Sequence, residues 1–567
     1  MLFFDFEVFR YDFMVVLIDT NTRETIKVHN DYDKVREIYN AHQNDLWAGY
    51  NVVHYDQYIL KGALFNMNLK NINDAIIIDK TPGWEICKDF NKIPLTLYDC
   101  GDKTKSLKVY EGFMGSDIRE TEVPFDIDRP LTPEEIEMTF KYCSHDVEES
   151  IKKFIYTIDE FNTKMFFIKH FNLPISRLSK TKAQLAAEIL GANGRGKKED
   201  EFKFRILPCI QLNKYKYIAD WYRNPENHDY EKFQEVVVAG VPHKYSWGGG
   251  HGAIKKYHSV GVFGMIDVTA YYPSLQKQYK FGYEVMSNPE NFEFIHDSNL
   301  QYKALGDKKA RMPFKIMDNA ISGQMKQPTS KLYCPRDNNN ICINGMLLLL
   351  DLIEHLEPYI KLIQNNTDGI LIEFKDYERD FDIVDDIVYE WECRTGMKME
   401  IDVYIGELYQ KDVNNYLLID RETGDVKSKG AYVKKLSVID YNLPIVNEAV
   451  NEYMINHTPV EETVNKCDNM HKFQMIVALQ GSYKWCIHND DISQNKCYRV
   501  FASKVPTDGI IYKCKDLRSP EKFQDTPEHC FIYNDEVVDM PCLEKLDKQW
   551  YIDVAKDRLD QFGVEIS

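Results

Sequence analysis

The chain has 567 residues, a net charge of −19, 44% hydrophobic and 13% aromatic residues. That length predicts two to four domains with full cores, and the composition excludes a disordered or low-complexity chain. No apolar run approaches the roughly 18 residues of a membrane helix, and MLFFDFEVFRYDF lacks a basic n-region and a cleavage site, so a soluble, unprocessed, cytoplasmic protein is expected. Thirteen cysteines without CxxC pairs read as reduced core thiols, not as zinc ligands or a disulfide framework.

An acidic chain is an awkward match to a polyanionic partner, which calls for excess Lys and Arg. Charge is unevenly spread, however. Between Tyr302 and Arg336 eight lysines and arginines face only Asp307 and Asp318, a local basic tract in an acidic protein.

In chain order, LFFDFEVF and Phe13–Asp19 read as strands, followed by a strand near Thr25–Val28, a helix at 33–40, a buried strand at 46–50 and a helix after Asp56. A helix at 133–158 opens on Thr-Pro-Glu-Glu, a helix-start signature. Strand–helix alternation to about residue 175 predicts one α/β domain. The stretch 176–240 reads as largely helical, and YSWGGGHGAIKKYH as a glycine-rich loop leading into a strand at 260–267. Helices at 300–324 (broken near Pro313) and 345–364 precede a hairpin at 365–374, with strands again near 399–403 and 416–420. From about 436 the pattern reads as mainly helical.

Asp5 and Glu7, two apart on the first strand, leave the same face. Asn51-Val-Val-His-Tyr-Asp56 adds a third carboxylate just after a strand. Tyr142-Cys-Ser-His-Asp146 adds a fourth on a helix, with a tyrosine one turn before it. Four carboxylates can hold a pair of divalent ions. These residues resemble the three motifs of the tyrosine-bearing DEDD exonucleases over residues 1–175. The resemblance implies an RNase H-like 3′→5′ exonuclease domain with Asp5, Glu7, Asp56 and Asp146 as metal ligands, Tyr142 orienting the attacking water, His145 as a neighbour and Asn51 positioning the primer terminus.

In GMIDVTAYYPSL, Asp267 ends an apolar strand and Tyr272-Pro273-Ser274 turns into a helix, a place suited to a metal–triphosphate. Lys315 and Asn319 stand four apart on one helix face, with Arg311 one turn earlier and Lys303 read as lying on the same face. Asn366-Thr367-Asp368-Gly369 reads as a hairpin turn. Together these segments resemble motifs A, B and C of the family B DNA polymerases of bacteriophage type. Tyr272 would then exclude a 2′-hydroxyl, Lys303, Arg311, Lys315 and Asn319 would bind the nucleotide, and Asp267 and Asp368 would hold the ions. Asn366 stands where motif C usually has an aspartate, and Ala320 and Ser322 stand where motif B usually carries its tyrosine. Lys427-Ser-Lys429-Gly-Ala-Tyr432 resembles the basic Lys-x-Tyr element, so Lys429 and Tyr432 are expected at the DNA. Gly249 and Gly250 resemble the Tyr-x-Gly-Gly loop, whose amides would approach template phosphates.

The resemblance implies an α/β multidomain fold: an exonuclease (1–175), a linker and start of palm (176–259), palm (260–295), fingers (296–335), palm again (336–435), and thumb with the C-terminal region (436–567). It implies template-directed DNA synthesis with proofreading in viral DNA replication, in the cytoplasm of a bacterial host. Two Mg²⁺ ions per active site are expected, with Mn²⁺ able to replace them. Partners are primer-template DNA and dNTPs, with a primase, helicase or processivity factor as further candidates; the chain is expected to be a monomer off the membrane. Only about 45 residues separate motif A from B, and B from C, leaving little room for the insertions of protein-primed relatives. An ordinary primed template is therefore expected. The alternative is an exonuclease whose polymerase half is reduced to a DNA-binding module.

Overall fold

The computed structural model describes residues 1–102 and 104–565. They form a mixed α/β, multi-sheet protein with two compact units: the described residues of 1–179, 435–448 and 461–554 in the first, and of 180–434, 449–460 and 555–565 in the second. Among the described residues no helix is long and apolar enough to cross a membrane.

The first unit is built on β1 (Leu2–Val8), β2 (Phe13–Asp19), β3 (Thr25–His29), β4 (Leu46–Gly49) and β5 (Thr96–Asp99), in the order β3-β2-β1-β4-β5. The first three strands are antiparallel; β4 runs parallel to β1, and β5 to β4. Strand β1 is central and covered on both faces, which is why LFFDFEV is apolar at nearly every position. Leu2, Phe4, Phe6 and Val8 enter the core with Val15, Leu17, Trp47 and Ile59. Phe3 takes the other face, edge-on to Phe154 at 5.6 Å, and the pleat puts Asp5 and Glu7 on that same face. The helix carrying Phe154, Pro133–Tyr156, begins with a full capping box: Glu135 N–H donates to Thr132 Oγ1 and Thr132 N–H to Glu135 Oε2 (3.3 and 2.8 Å).

The second unit centres on a nine-stranded sheet: β6 (Phe233–Val238), β7 (Val241–Ser246), β8 (Gly249–Ala253), β9 (Tyr257–Val268), β10 (Ile360–Asn365), β11 (Gly369–Phe374), β12 (Met399–Asp412), β13 (Asn415–Asp420) and β14 (Val426–Lys429). Their order is β14-β13-β12-β9-β11-β10-β8-β7-β6. The helix Pro335–Leu356 is buried along almost its whole length in this unit.

Several sequence expectations change. The stretch 176–240 holds only two short helices, Lys182–Ile189 and Lys216–Arg223, besides 3-10 turns and β6. The reason lies in the long helix: Asn340, Asn344 and Asp351 accept from the N–H groups of Arg205, Leu207 and Gln211 (2.8, 2.8 and 2.7 Å). Side chains thus satisfy backbone that would otherwise need a helix of its own. The helix expected at 345–364 instead spans Pro335–Leu356, and the hairpin starts at Ile360. The helix break expected at Pro313 falls at Leu305–Asp307, where Gly306 has φ +68° and Asp307 caps the next helix, Lys308–Ser322. The glycine-rich loop proves to be part of a strand, β8.

The C-terminal region is not mainly helical. In the first unit it forms two small antiparallel sheets from β15 (Met475–Ala478), β16 (Trp485–His488), β17 (Asp491–Ser493), β18 (Cys497–Ala502), β19 (Ile511–Cys514), β20 (Pro520–Lys522) and β21 (Cys530–Ile532), in the orders β15-β18-β21 and β17-β16-β19-β20. Strands of three to six residues are too short for a periodicity to declare itself.

Candidate active sites

In the first unit, Asp56 opens the helix Asp56–Leu64 and is 2% exposed. Its Oδ1 accepts from Phe6 N–H (3.0 Å), fixing it against β1 between Asp5 and Glu7. The loop ahead of it is held by a residue the sequence did not single out. Asp99, ending β5, accepts from the N–H groups of Asn51 (2.8 Å), Val53 (3.0 Å) and Gly101 (2.6 Å). Asn51 sits at φ +62°, exposed at this turn.

Asp146 reaches the cluster from the helix Pro133–Tyr156. It accepts from the Lys108 ammonium (2.6 Å), which also donates to Glu111 (3.0 Å) and lies 4.6 Å from the centre of the Tyr142 ring. Lys108 and Glu111, on the helix Leu107–Met114, are buried, Glu111 completely. His145 Nε2 lies 3.0 Å from Asp117 O and 3.8 Å from Glu111. Cys143 Sγ donates to Asp5 (3.4 Å).

The electrostatics follow from enclosure of like charges. Burial, then the Asp146 charge, pushes Asp5 up to about 7. Burial with a partial offset from Lys108 leaves Asp146 at about 6. Glu7 and Asp56 are driven well above the carboxylate range, by burial and then by Asp5. The Tyr142 phenol is likewise raised, by burial and Asp146, and stays protonated. One ammonium does not neutralise four gathered carboxylates. The all-oxygen carboxylate set suits a hard divalent cation such as Mg²⁺ or Mn²⁺, while the Cys143 thiol, raised by burial, stays protonated and outside that set.

In the second unit, Asp267 on β9 lies in register with Gly369 on β11 and Glu400 on β12. Asp368 is exposed in the turn joining β10 to β11, where Asn366 N–H donates to Gly369 O (2.9 Å) and Val268 N–H donates to Asp368 O (3.0 Å). A methyl group on Gly369 would overlap Asp267 Oδ1, so glycine is what lets the two acidic positions adjoin. Burial, with the Asp368 charge adding to it, raises the Asp267 carboxyl against the pull of Lys427. Lys427 Nζ stands 3.3 Å from Asp267 and 3.9 Å from Asp402. These oxygens again fit a hard cation, with one carboxylate fewer than an aspartate at 366 would give.

Arg311, Lys315 and Asn319 fall on one face of the helix Lys308–Ser322, with Lys315 and Asn319 exposed. Arg311 Nε donates to Asn299 (2.9 Å). Lys303 is not on that face: it belongs to the preceding helix, Pro289–Ala304, beyond the break at Gly306, and its ammonium pairs with Glu400 (2.5 Å) and Thr269. The Tyr272 hydroxyl would lie 3.8 Å from a methyl group on Gly249. Gly250 lies against the Tyr245 ring, and β8 is paired to β7 on that side, so its ladder amides there are not free for phosphate. Lys429 ends the edge strand β14 in register with Tyr416. The Tyr432 ring carries Lys411 Nζ at 4.1 Å and the Arg558 guanidinium at 4.5 Å.

Lys108, Glu111, Asp99, Glu400 and Asp402 escaped the sequence reading. A Lys-x-x-Glu on a short helix is ordinary surface chemistry, and nothing local signals that the fold buries it.

No family model matches the sequence, and comparison with curated proteins finds no match. Among solved structures the chain is similar to the family B DNA polymerase from the hyperthermophilic archaeon Pyrobaculum calidifontis, at 13% identity and a TM-score of 0.40, covering 100% of this chain and 78% of that one. Likeness at that level assigns no residue and no activity.

Proposed function

We propose that this chain is a DNA-directed DNA polymerase with its own 3′→5′ proofreading exonuclease, acting on primer-template DNA and dNTPs. The observation that carries the reading is that each compact unit builds a separate carboxylate centre on a central strand of its own sheet, Asp5 and Glu7 on β1, Asp267 on β9 beside Asp368. Removal and addition of a nucleotide are the two phosphoryl transfers such a pair serves.

The β3-β2-β1-β4-β5 order supports an RNase H-like nuclease domain in the first unit. There Asp5, Glu7, Asp56 and Asp146 would hold two Mg²⁺ ions, Tyr142 would orient water, and Lys108 would fix Asp146 and offset charge at the scissile phosphate. In the second unit Asp267 and Asp368 would hold the ions, Arg311 and Lys315 would take the triphosphate, Asn319 the nascent pair, and Tyr272 would crowd out a 2′-hydroxyl. Lys303, already paired with Glu400, would reach the triphosphate only by exchanging that partner. At both centres the bound ions would activate the attacking oxygen and stabilise the leaving one. Lys429 and Tyr432 would contact the primer-template, and replication of viral DNA is the setting this reading implies.

A 5′-labelled primer on a template, with Mg²⁺ and with or without dNTPs, tests it. Extension with dNTPs and shortening without them are expected, Asp368→Ala losing only the first and Asp5→Ala only the second. A second reading, a nuclease whose larger sheet merely binds DNA, is favoured by Asn366 and by Lys427 lying on Asp267; shortening under every condition would select it.

A further inference from the structure

The helix bearing Lys108 is held at its far end by the C-terminal region of the same unit. Gly112 O and Phe113 O are carbonyls of the last turn of Leu107–Met114, and Gly112 O accepts from the C-cap Gly115 N–H (3.1 Å). Arg499, on β18 and completely buried, adds a second donor at this end: its guanidinium donates to Gly112 O (3.3 Å) and Ser116 O (2.7 Å), and also to Gln474 Oε1 (2.9 Å), Tyr533 O (3.5 Å) and Asp535 O (2.5 Å). Phe113 O takes His471 Nε2 at 2.9 Å and Gln474 Nε2 at 3.3 Å. Every partner of Arg499 among these is neutral, so the guanidinium is anchored by carbonyl dipoles at a helix C-terminus, where a cation is stabilised. The backbone joins as well: Ile118 N–H donates to Asn534 O (2.7 Å) and Val537 N–H to Gly115 O (2.9 Å). Gly115, at φ +79°, leaves the His471 ring and Val538 no room for a side chain.

We infer that Arg499, with His471 and Gln474, is a positioning group for the nuclease centre: it sets the axial placement of Leu107–Met114 and through it the Lys108 ammonium on Asp146. This rests on the nuclease reading above. The helix is only eight residues long, about 12 Å, so a shift at its last turn is carried nearly rigidly to Lys108. Displacement of about 1 Å at a reacting centre costs on the order of a hundredfold in rate.

The test is a double-mutant cycle in the full chain, with Arg499→Lys, Lys108→Met and the pair, reading single-turnover shortening, primer extension and Tm. Lysine keeps the charge but cannot span the five acceptors. Shortening by Arg499→Lys should fall by about tenfold or more, with extension within about twofold of the parent, and Arg499→Lys should cause no further loss in the Lys108→Met background. Equal losses in both backgrounds, or no loss, would overturn the inference. If Arg499→Lys fails to fold, His471→Phe and Gln474→Met carry the same cycle, with the same expected and overturning results. Asp5→Ala run alongside separates the premises: if it still shortens the primer, the nuclease reading itself fails, whatever the cycle gives.

Discussion

Asp5, Glu7, Asp56 and Asp146 bring four carboxylates together, with Lys108 paired to Asp146 alone among them, and the raised affinities for protons turn this into a pH dependence of stability. A carboxyl whose value is raised by folding favours the folded state most below the ordinary carboxylate range, and loses that contribution as pH rises through its folded value, about 6 for Asp146 and about 7 for Asp5. In chelator, Tm should therefore fall between pH 5 and pH 8, and Asp5→Asn should flatten the fall. Added Mg²⁺ at about a hundred times its dissociation constant should restore about 2.7 kcal/mol, with a larger rise in Tm at pH 8 than at pH 5; thermal scans check both. Lys108→Met removes a buried partner from Glu111 and should cost about 3–5 kcal/mol. Glu111→Gln added to it should recover much of that loss in a denaturant titration.

At the level of elements, strand register does what no residue does alone. The β9–β11 pairing sets Asp267 against Gly369, one residue from Asp368. Gly369→Ala must displace the Asp267 carboxylate, so extension should fall by about a hundredfold or more while shortening persists, as paired gel assays would show. The helix Lys308–Ser322 presents Lys315 outward from a frame capped by Asp307, which accepts from Ala310 N–H (2.9 Å). Lys315→Ala should raise KM for dNTP without changing Tm, whereas Asp307→Ala should cost about 1 kcal/mol of stability; steady-state kinetics and melting distinguish the two.

For the whole molecule, the first unit is discontinuous in sequence: residues 461–554 pack with residues 1–179. A fragment ending at residue 179 would expose the helix Leu107–Met114 where Gly112 meets Ile476 and Gly115 meets His471 and Val538. It should lack the near-UV circular dichroism of a packed core; a native-like near-UV spectrum would contradict this.

The DxE pair on β1, the start signature of the helix Pro133–Tyr156, the Asp267 strand end and the hairpin turn around Asp368 were legible because each is written in adjacent residues by a period of two, a cap or a turn. The helix break was misplaced because proline is a visible breaker, while Gly306 acts through a left-handed backbone. The stretch 176–240 and the C-terminal region differ from the helices expected because backbone partners, such as Asn340, Asn344 and Asp351 for Arg205, Leu207 and Gln211, lie elsewhere in the chain. By itself the sequence determined which carboxylates sit at strand ends and helix starts. Only the tertiary structure decided that Lys108 is buried on Asp146, that Lys303 pairs with Glu400, and that Arg499, nearly four hundred residues on, caps the helix holding Lys108, because burial and pairing across such separations are set by packing, which no local pattern encodes.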